Sequence, residues 1–384
     1  MTAMEKKDKN LNVPNLRFPE FSGEWERCTI GDITRNFSLR NKDKIQYPMF
    51  SVTNSRGFVP QSEQFEDREM IGEDIKAYKI IHEGDFAYNP ARINVGSIAK
   101  YDKSEPCMIS SLYVCFKALS QINNEWLMQL LKTPKMNFYY NVNGEGGVRV
   151  YLFYPNFARI RTSYPSLAEQ QKIASFLSLL DQRIETQRKI IEDLKKLKDA
   201  ISVRLFTSAT CGKRELSDLA TIVMGQSPSS QCYNTNNEGL PLIQGNLDIT
   251  KGKLTPRIYS SEVTKKCQAG DVILTVRAPV GEVAIADFGA CIGRGVCAIK
   301  PFDDTLSVLI YQFLQYFKPK WFSLEQGSTF TSVSRDDIMS IKVAIPSIQA
   351  IETLNILDKK ITIEDVILNN LNFQKKILMN QMFI

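Results

Sequence analysis

From Pro165 to about Phe206 the chain contains neither proline nor glycine, and its apolar residues recur at intervals of three and four. Leu177, Leu180, Ile184, Ile191, Leu194, Ile201 and Leu205 form one stripe. Adding 177 to each number gives a second stripe, Leu354, Leu357, Ile361, Leu368, Leu371, Leu378 and Met382. The polar interruptions match as well, Gln187 with Glu364 and Lys198 with Lys375. Alternating threes and fours are the heptad pattern, so each stripe predicts a long helix buried against another helix.

The remainder of the chain also repeats. Residues 84–99 read GDFAYNPARINVGSIA and residues 270–284 read GDVILTVRAPVGEVA. Gly84-Asp85 corresponds to Gly270-Asp271 at an offset of 186, and Arg92 and Gly96 correspond to Arg277 and Gly281 at 185. Ile30, Asp32 and Ile33 answer Leu216, Asp218 and Leu219 at 186, and Tyr164-Pro165-Ser166 answers Ile345-Pro346-Ser347 at 181. The second copy is thus four residues shorter before its stripe, close to one helical turn, which keeps the stripe on roughly the same face.

These patterns predict an α+β chain of two similar mixed α/β globules separated by two long helices that form an antiparallel coiled coil. The expected bounds are 1–167 for the first globule, 168–207 for the central helix, 213–346 for the second globule and 349–384 for the C-terminal helix. Short strands are expected at Ile80–Ile81, Phe86–Asn89 and Val272–Val276 between Gly, Pro and Asn turns, with short helices near Glu125–Lys132 and Ser307–Phe317. Because the first helix leads into the second globule, antiparallel packing is expected to hold the globules at opposite ends. A helix of about 38 residues spans roughly 57 Å, an upper bound of about 17 base pairs of B-DNA.

Composition narrows the function. The 384 residues are 43% hydrophobic, which suits folded cores, and the formal charge of +6 is compatible with a polyanionic partner without establishing one. No run approaches the roughly 20 apolar residues of a membrane span, and the polar N-terminal stretch predicts no secretory signal. The cysteines Cys28, Cys107, Cys115, Cys211, Cys232, Cys267, Cys291 and Cys297 form no C-x-x-C pair and accompany a single histidine, His82, so no metal and a reducing cytoplasm are expected.

Motifs of catalysis are weak. Asn89-Pro90-Ala91-Arg92 lacks the second proline and the aromatic of an adenine methyltransferase loop. No Walker A string is present, and no nucleophile pairs convincingly with His82. Asp74-Ile75-Lys76 matches a nuclease D-x-K only within a charged stretch that suits a solvated face. A non-catalytic chain without cofactors is therefore expected.

Leu16-Arg17-Phe18-Pro19-Glu20-Phe21 with Gly23-Glu24-Trp25, the run from Phe50 to Gly57, the paired G-D…R…G segments and Pro165-Ser166-Leu167-Ala168-Glu169-Gln170-Gln171-Lys172-Ile173-Ala174 resemble the specificity subunits of type I restriction–modification systems. The resemblance covers nearly the whole chain in the order recognition domain, helix, recognition domain, helix. It departs at the second helix start, Pro346-Ser347-Ile348-Gln349-Ala350-Ile351-Glu352, which lacks the glutamine pair. The resemblance implies that each globule reads one half of a split double-stranded DNA target. It also implies that the helices dock two methyltransferase subunits and recruit restriction–translocase subunits.

Base and phosphate contacts need Arg, Lys, Asn, Gln, Ser or Thr presented on loops. Thr53, Asn54, Ser55 and Arg56 meet this requirement, with Gln244 and Asn246 in the second half. Arg92 and Asn94 are answered by Arg277. Gly144–Arg149 presents Arg149, and its counterpart presents Ser328, Thr329, Thr331 and Ser332. In a competing reading, Arg92 and Arg277 brace their globules through salt bridges. Gly96 and Gly281 are expected to occupy positive φ. Lys189, Lys195, Lys196 and Lys359 suit solvent or a subunit better than bases. The alternative class is a coiled-coil adaptor whose globules bind protein; the polar, basic loops favour DNA over it. A self-contained nuclease or methyltransferase has no motif to support it.

Overall fold

The computed structural model describes residues 11–64, 75–146, 150–208, 212–323 and 332–384, and the chain divides into two compact units. The first comprises residues 1–186 with 368–384, the second residues 187–367.

In the first unit a four-stranded antiparallel sheet runs in the order Thr34–Phe37, Val114–Ala118, Phe86–Tyr88, Ile98–Lys100. Side chains alternate across a strand, and here both faces are covered. Phe86, Tyr88, Ile98 and Phe116 enter one core with Trp126, Leu127 and Phe157. Ala87, Ala99 and Cys115 enter a second with Phe50, Val52 and Ile109. The helix Asn124–Leu131 begins at Asn123, whose side chain accepts from the Trp126 amide at 2.9 Å. Residues far along the chain finish the first core: Met379, Met382 and Phe383 pack there, with the Phe383 ring 6.5 Å from that of Trp25. The Leu16 amide also donates to the Gln381 carbonyl at 2.9 Å.

The second unit builds the same sheet from Ala220–Met224, Val296–Pro301, Val272–Thr275 and Val283–Ile285. Again Val272 and Leu274 face one core and Ile273 the other. The opposite layer is enlarged to five strands, in which Leu240–Ile243 runs parallel to Ala290–Ile292. Helix Leu306–Phe317 occupies the place expected for it.

The repeated Gly-Asp pair is a corner in both units. Asp85 accepts from the His82 amide at 2.9 Å and meets Lys117 at 3.1 Å. Asp271 accepts from the Gln268 amide at 2.8 Å and meets Lys300 at 3.0 Å. A buried carboxylate with a paired ammonium satisfies the turn's backbone where water is excluded. The Gly-Asp signature in the sequence is thus a folding device.

The long helices run over Leu167–Thr207 and Ile348–Met382, each starting one residue earlier than expected, and Phe383 and Ile384 lie past the second. Each unit contains a stretch of both. In the first, Leu177, Ile184, Leu371 and Met382 are buried and Leu180, Leu368 and Leu378 half-buried. In the second, Ile191 and Leu354 are buried, and Leu194, Ile201, Leu205, Leu357 and Ile361 are half-buried. Gln187 Nε2 donates to the Glu364 carboxylate at 2.6 Å and Lys198 to Asp358 at 2.6 Å, so the later residue of one helix meets the earlier of the other. The pairing is antiparallel.

The motif peculiar to the first helix start has a partner peculiar to the first unit. Glu169, 1% exposed, receives the Nε–H and one terminal N–H of the Arg17 guanidinium at 2.8 and 2.7 Å and the Trp25 indole N–H at 3.2 Å. Gln170, fully buried, accepts from the Asn123 amide at 2.8 Å. The second helix start places Ala350 and buried Ile351 at the corresponding positions, offset by 181. It needs no glutamate there, because no Leu-Arg-Phe-Pro segment precedes the second globule.

Candidate nucleic-acid interface

In the first unit, strands Phe50–Thr53 and Gly57–Pro60 present the turn that carries Thr53, Asn54, Ser55 and Arg56. The Thr53 hydroxyl serves the turn itself, accepting from the Arg56 amide at 3.1 Å and donating to the Gly57 carbonyl at 3.2 Å. Asn54, Ser55 and Arg56 are exposed, and Arg56 reaches Glu63 at 3.4 Å across open solvent, a pair of little strength. The loop carrying Arg92 and Asn94 lies against this turn: a Cβ on Gly96, at φ +101°, would stand 3.4 Å from the Asn54 carbonyl oxygen, and Ser97 Oγ donates to the Val52 carbonyl at 2.7 Å. Asn94 donates to the Asn141 side chain at 3.0 Å, and the Leu152 amide to the Pro90 carbonyl at 3.0 Å. Asn54 and Asn94 line one cavity of about 390 Å3. Arg149 lies outside the described residues. The Glu145 and Tyr151 backbones exchange hydrogen bonds at 2.8 Å, and the Tyr151 and Phe153 rings stack.

In the second unit, three strand ends converge. Gln244 follows strand Leu240–Ile243, Arg277 follows Val272–Thr275 by two residues, and Gly293-Arg294-Gly295 joins Ala290–Ile292 to Val296–Pro301. The Gly293 amide donates to the Ile243 carbonyl at 2.8 Å and the Val276 amide to the Gly295 carbonyl at 2.9 Å. A Cβ on Gly295 would stand 2.1 Å from the Gln244 carbonyl, so only glycine lets these loops meet. Gln244 Nε2 donates to the Tyr233 hydroxyl at 3.1 Å, and its side-chain oxygen has no partner among the described residues. Ser227, Gln244, Asn246, Arg277 and Arg294 share one cleft of about 310 Å3. Ser332 bridges Arg277 through its backbone, whereas Ser328, Thr329 and Thr331 lie outside the described residues.

Neither Arg92 nor Arg277 has a carboxylate partner among the described residues, so the bracing expected in the competing reading is not what holds them. Both are exposed. Sequence reasoning missed Arg294, Ser227 and the orienting Tyr233. The Gly-Arg-Gly string was the available signal for the first, but nothing in the first repeat answers it.

The groups considered for catalysis are otherwise engaged. Asn89 Oδ1 accepts from the Ala91 amide at 3.0 Å, a turn brace, and His82 belongs to the Asp85 corner. Burial pushes the thiols of Cys28, Cys107, Cys115 and Cys297 up to about 12, opposite to the shift that activates a thiolate. Asp74 lies outside the described residues, and Ile75 beside it is buried. Among the described residues no cluster suits a metal ion, and no helix is long and apolar enough to cross a membrane.

Comparison with known proteins agrees with this duplicated plan. The family described as the type I restriction modification DNA specificity domain matches twice, over residues 22–196 and 210–372. A putative type I restriction enzyme specificity subunit of Methanocaldococcus jannaschii is 29% identical over 374 residues, covering 89% of this chain and 87% of that one. The S subunit of a type I restriction–modification system from M. genitalium is similar in fold, with a TM-score of 0.63 at 16% identity over 97% of this chain and 99% of that chain. A chain from a structural study of the assembly and conformational transition of the type I system gives 0.61 at 20% identity, over 93% and 97%. With both repeats matched over most of their length, the chain belongs to the type I restriction–modification DNA specificity family.

Proposed function

We propose that this specificity subunit reads a split target in double-stranded DNA, one half-site per unit, and does no chemistry on the DNA itself. The observation that carries this reading is the same in each unit. In each unit separate loops bring exposed arginine and amide side chains close together: Arg277, Arg294, Gln244 and Asn246 share one cleft, and the loop of Arg92 and Asn94 lies against the turn of Asn54 and Arg56, while among the described residues neither Arg92 nor Arg277 meets a carboxylate. An unpaired guanidinium beside Asn and Gln amides suits phosphate oxygens and base edges, and it suits an apolar protein surface poorly. The exposed apolar residues of the long helices, among them Leu179, Ile356, Ile363 and Phe373, support docking of partner subunits there. The partners are two methyltransferase subunits, with restriction–translocase subunits joining the complex in turn, and the place of action is the cytoplasm.

The test is a footprint of the chain assembled with its methyltransferase partner on target DNA. Two short protected patches with an unprotected stretch between them are expected. One continuous protected stretch would rule the split reading out.

A further inference from the structure

The second unit's cleft contains a side chain that neither the repeat nor the family motifs pointed to. Arg294 stands at the tip of the turn between strands Ala290–Ile292 and Val296–Pro301. Its backbone is fixed from three sides. Its own amide donates to Ser227 Oγ at 3.2 Å, the preceding Gly293 amide to the Ile243 carbonyl at 2.8 Å, and the following Gly295 carbonyl accepts from Val276 at 2.9 Å. Both flanking residues are glycines packed against Gln244, where an added Cβ would stand 3.2 Å from the Gln244 side chain at Gly293 and 2.1 Å from its carbonyl at Gly295. The side chain itself is exposed and has no hydrogen-bond or ionic partner among the described residues. The described lining of the cleft includes no carboxylate, and the nearby Asp248 is already engaged, with Arg257 at 2.9 Å and the Gln244 amide at 2.8 Å. A rigidly held launching point with an unengaged guanidinium is the arrangement of a reading residue, because the loss of side-chain freedom on contact is the only ordering left to do.

We propose that Arg294 reads a guanine within the half-site assigned to the second unit. The guanidinium fork matches the O6 and N7 acceptors that guanine alone displays together in the major groove. Gln244, oriented by Tyr233, and Asn246 flank it with amides suited to neighbouring base edges. The corresponding turn of the first unit, between Cys107–Ile109 and Val114–Ala118, reads Ser110-Ser111-Leu112-Tyr113 and carries no cation. Arg294 thus gives the two units different chemistry at matching places, which suits two half-sites of different sequence. The proposal rests on the DNA-reading function proposed above.

The experiment measures binding of the full chain, in complex with its methyltransferase partner, to DNA in which each half-site is randomised in turn. With R294A, the preference for guanine at one position of one half-site should fall by about five- to 150-fold, with the other half-site read as before. R294K, which keeps the charge without the fork, should lose the same preference while retaining affinity for mixed DNA. A uniform loss of affinity across all sequences, with a shallower salt dependence, would make Arg294 a phosphate contact and overturn the proposal. So would an unchanged preference in R294A. A wild-type complex with no sequence preference at all would overturn the DNA-reading function together with it.

Discussion

Gly281 and Gly270 separate two costs that are usually confounded. Both hold positive φ, +93° and +91°, but a Cβ on Gly281 would stand 2.3 Å from the buried Trp321 ring, whereas one on Gly270 meets nothing within 4 Å. Gly270→Ala should therefore cost only the backbone strain, roughly 1–2 kcal/mol, and Gly281→Ala roughly 2–5 kcal/mol, because the ring must shift within a packed core. Urea midpoints of the two variants check this; equal losses would show that Trp321 gives way freely. At this scale the sequence was informative where the repeat marked a residue twice. Arg92 and Arg277 stood out through their common offset, and the positive φ of Gly96 and Gly281 followed from turn chemistry. Arg294 carries no such mark, because Ser110, Ser111 and Leu112 occupy the matching turn. Thr53 has the residue type of a base contact, and its hydroxyl also closes a hairpin, a role that residue type alone does not reveal.

At the scale of elements, the two long helices are tied to the globules by the same polar triad in each unit. In the second unit, Asp358 receives Lys198 at 2.6 Å and Gln312 from helix Leu306–Phe317 at 2.6 Å. In the first, Asp181 receives Lys375 and, at 3.0 Å, Gln129 from helix Asn124–Leu131. The aspartates and the lysines are each 177 residues apart. Lys198 keeps 14% of its side chain exposed and Asp358 27%, so solvent screens the pair only in part. Asp358→Ala should cost roughly 1–3 kcal/mol, and a cycle with Lys198→Ala should give a coupling of at least about 0.5 kcal/mol. Additive losses in denaturant titrations would mean the pair holds nothing. The helices were legible because seven apolar positions recurred in each. The triads were not, since a polar residue beside a heptad seam looks like any solvated side chain until its partner from another element is known.

For the molecule as a whole, a formal charge of +6 over 384 residues decides little, whereas the placement at loop clusters of Arg92, Arg277 and Arg294, which meet no carboxylate among the described residues, makes a definite demand. If about six to ten phosphates are contacted, affinity for target DNA should fall about 10^3- to 10^5-fold between 50 and 200 mM salt, checked by titration at several salt concentrations. An affinity indifferent to salt would mean that DNA is not what these loops hold. The duplicated plan was readable from the chain because a repeat is a relation between residues, visible without geometry. Which loops share a cleft was not, because that depends on strand pairing across long separations, as between Ile243 and Gly293. One pairing of that kind also bears on how the protein comes into being. Met379, Met382 and Phe383 belong to the core around Trp25 and Trp126, yet a ribosome makes them only after every residue of the second unit. The part begun first is therefore the part completed last. Until then Trp25 and Trp126 lack their last apolar cover, so a chain released after residue 367 would carry every residue of the second unit and an unfinished first one.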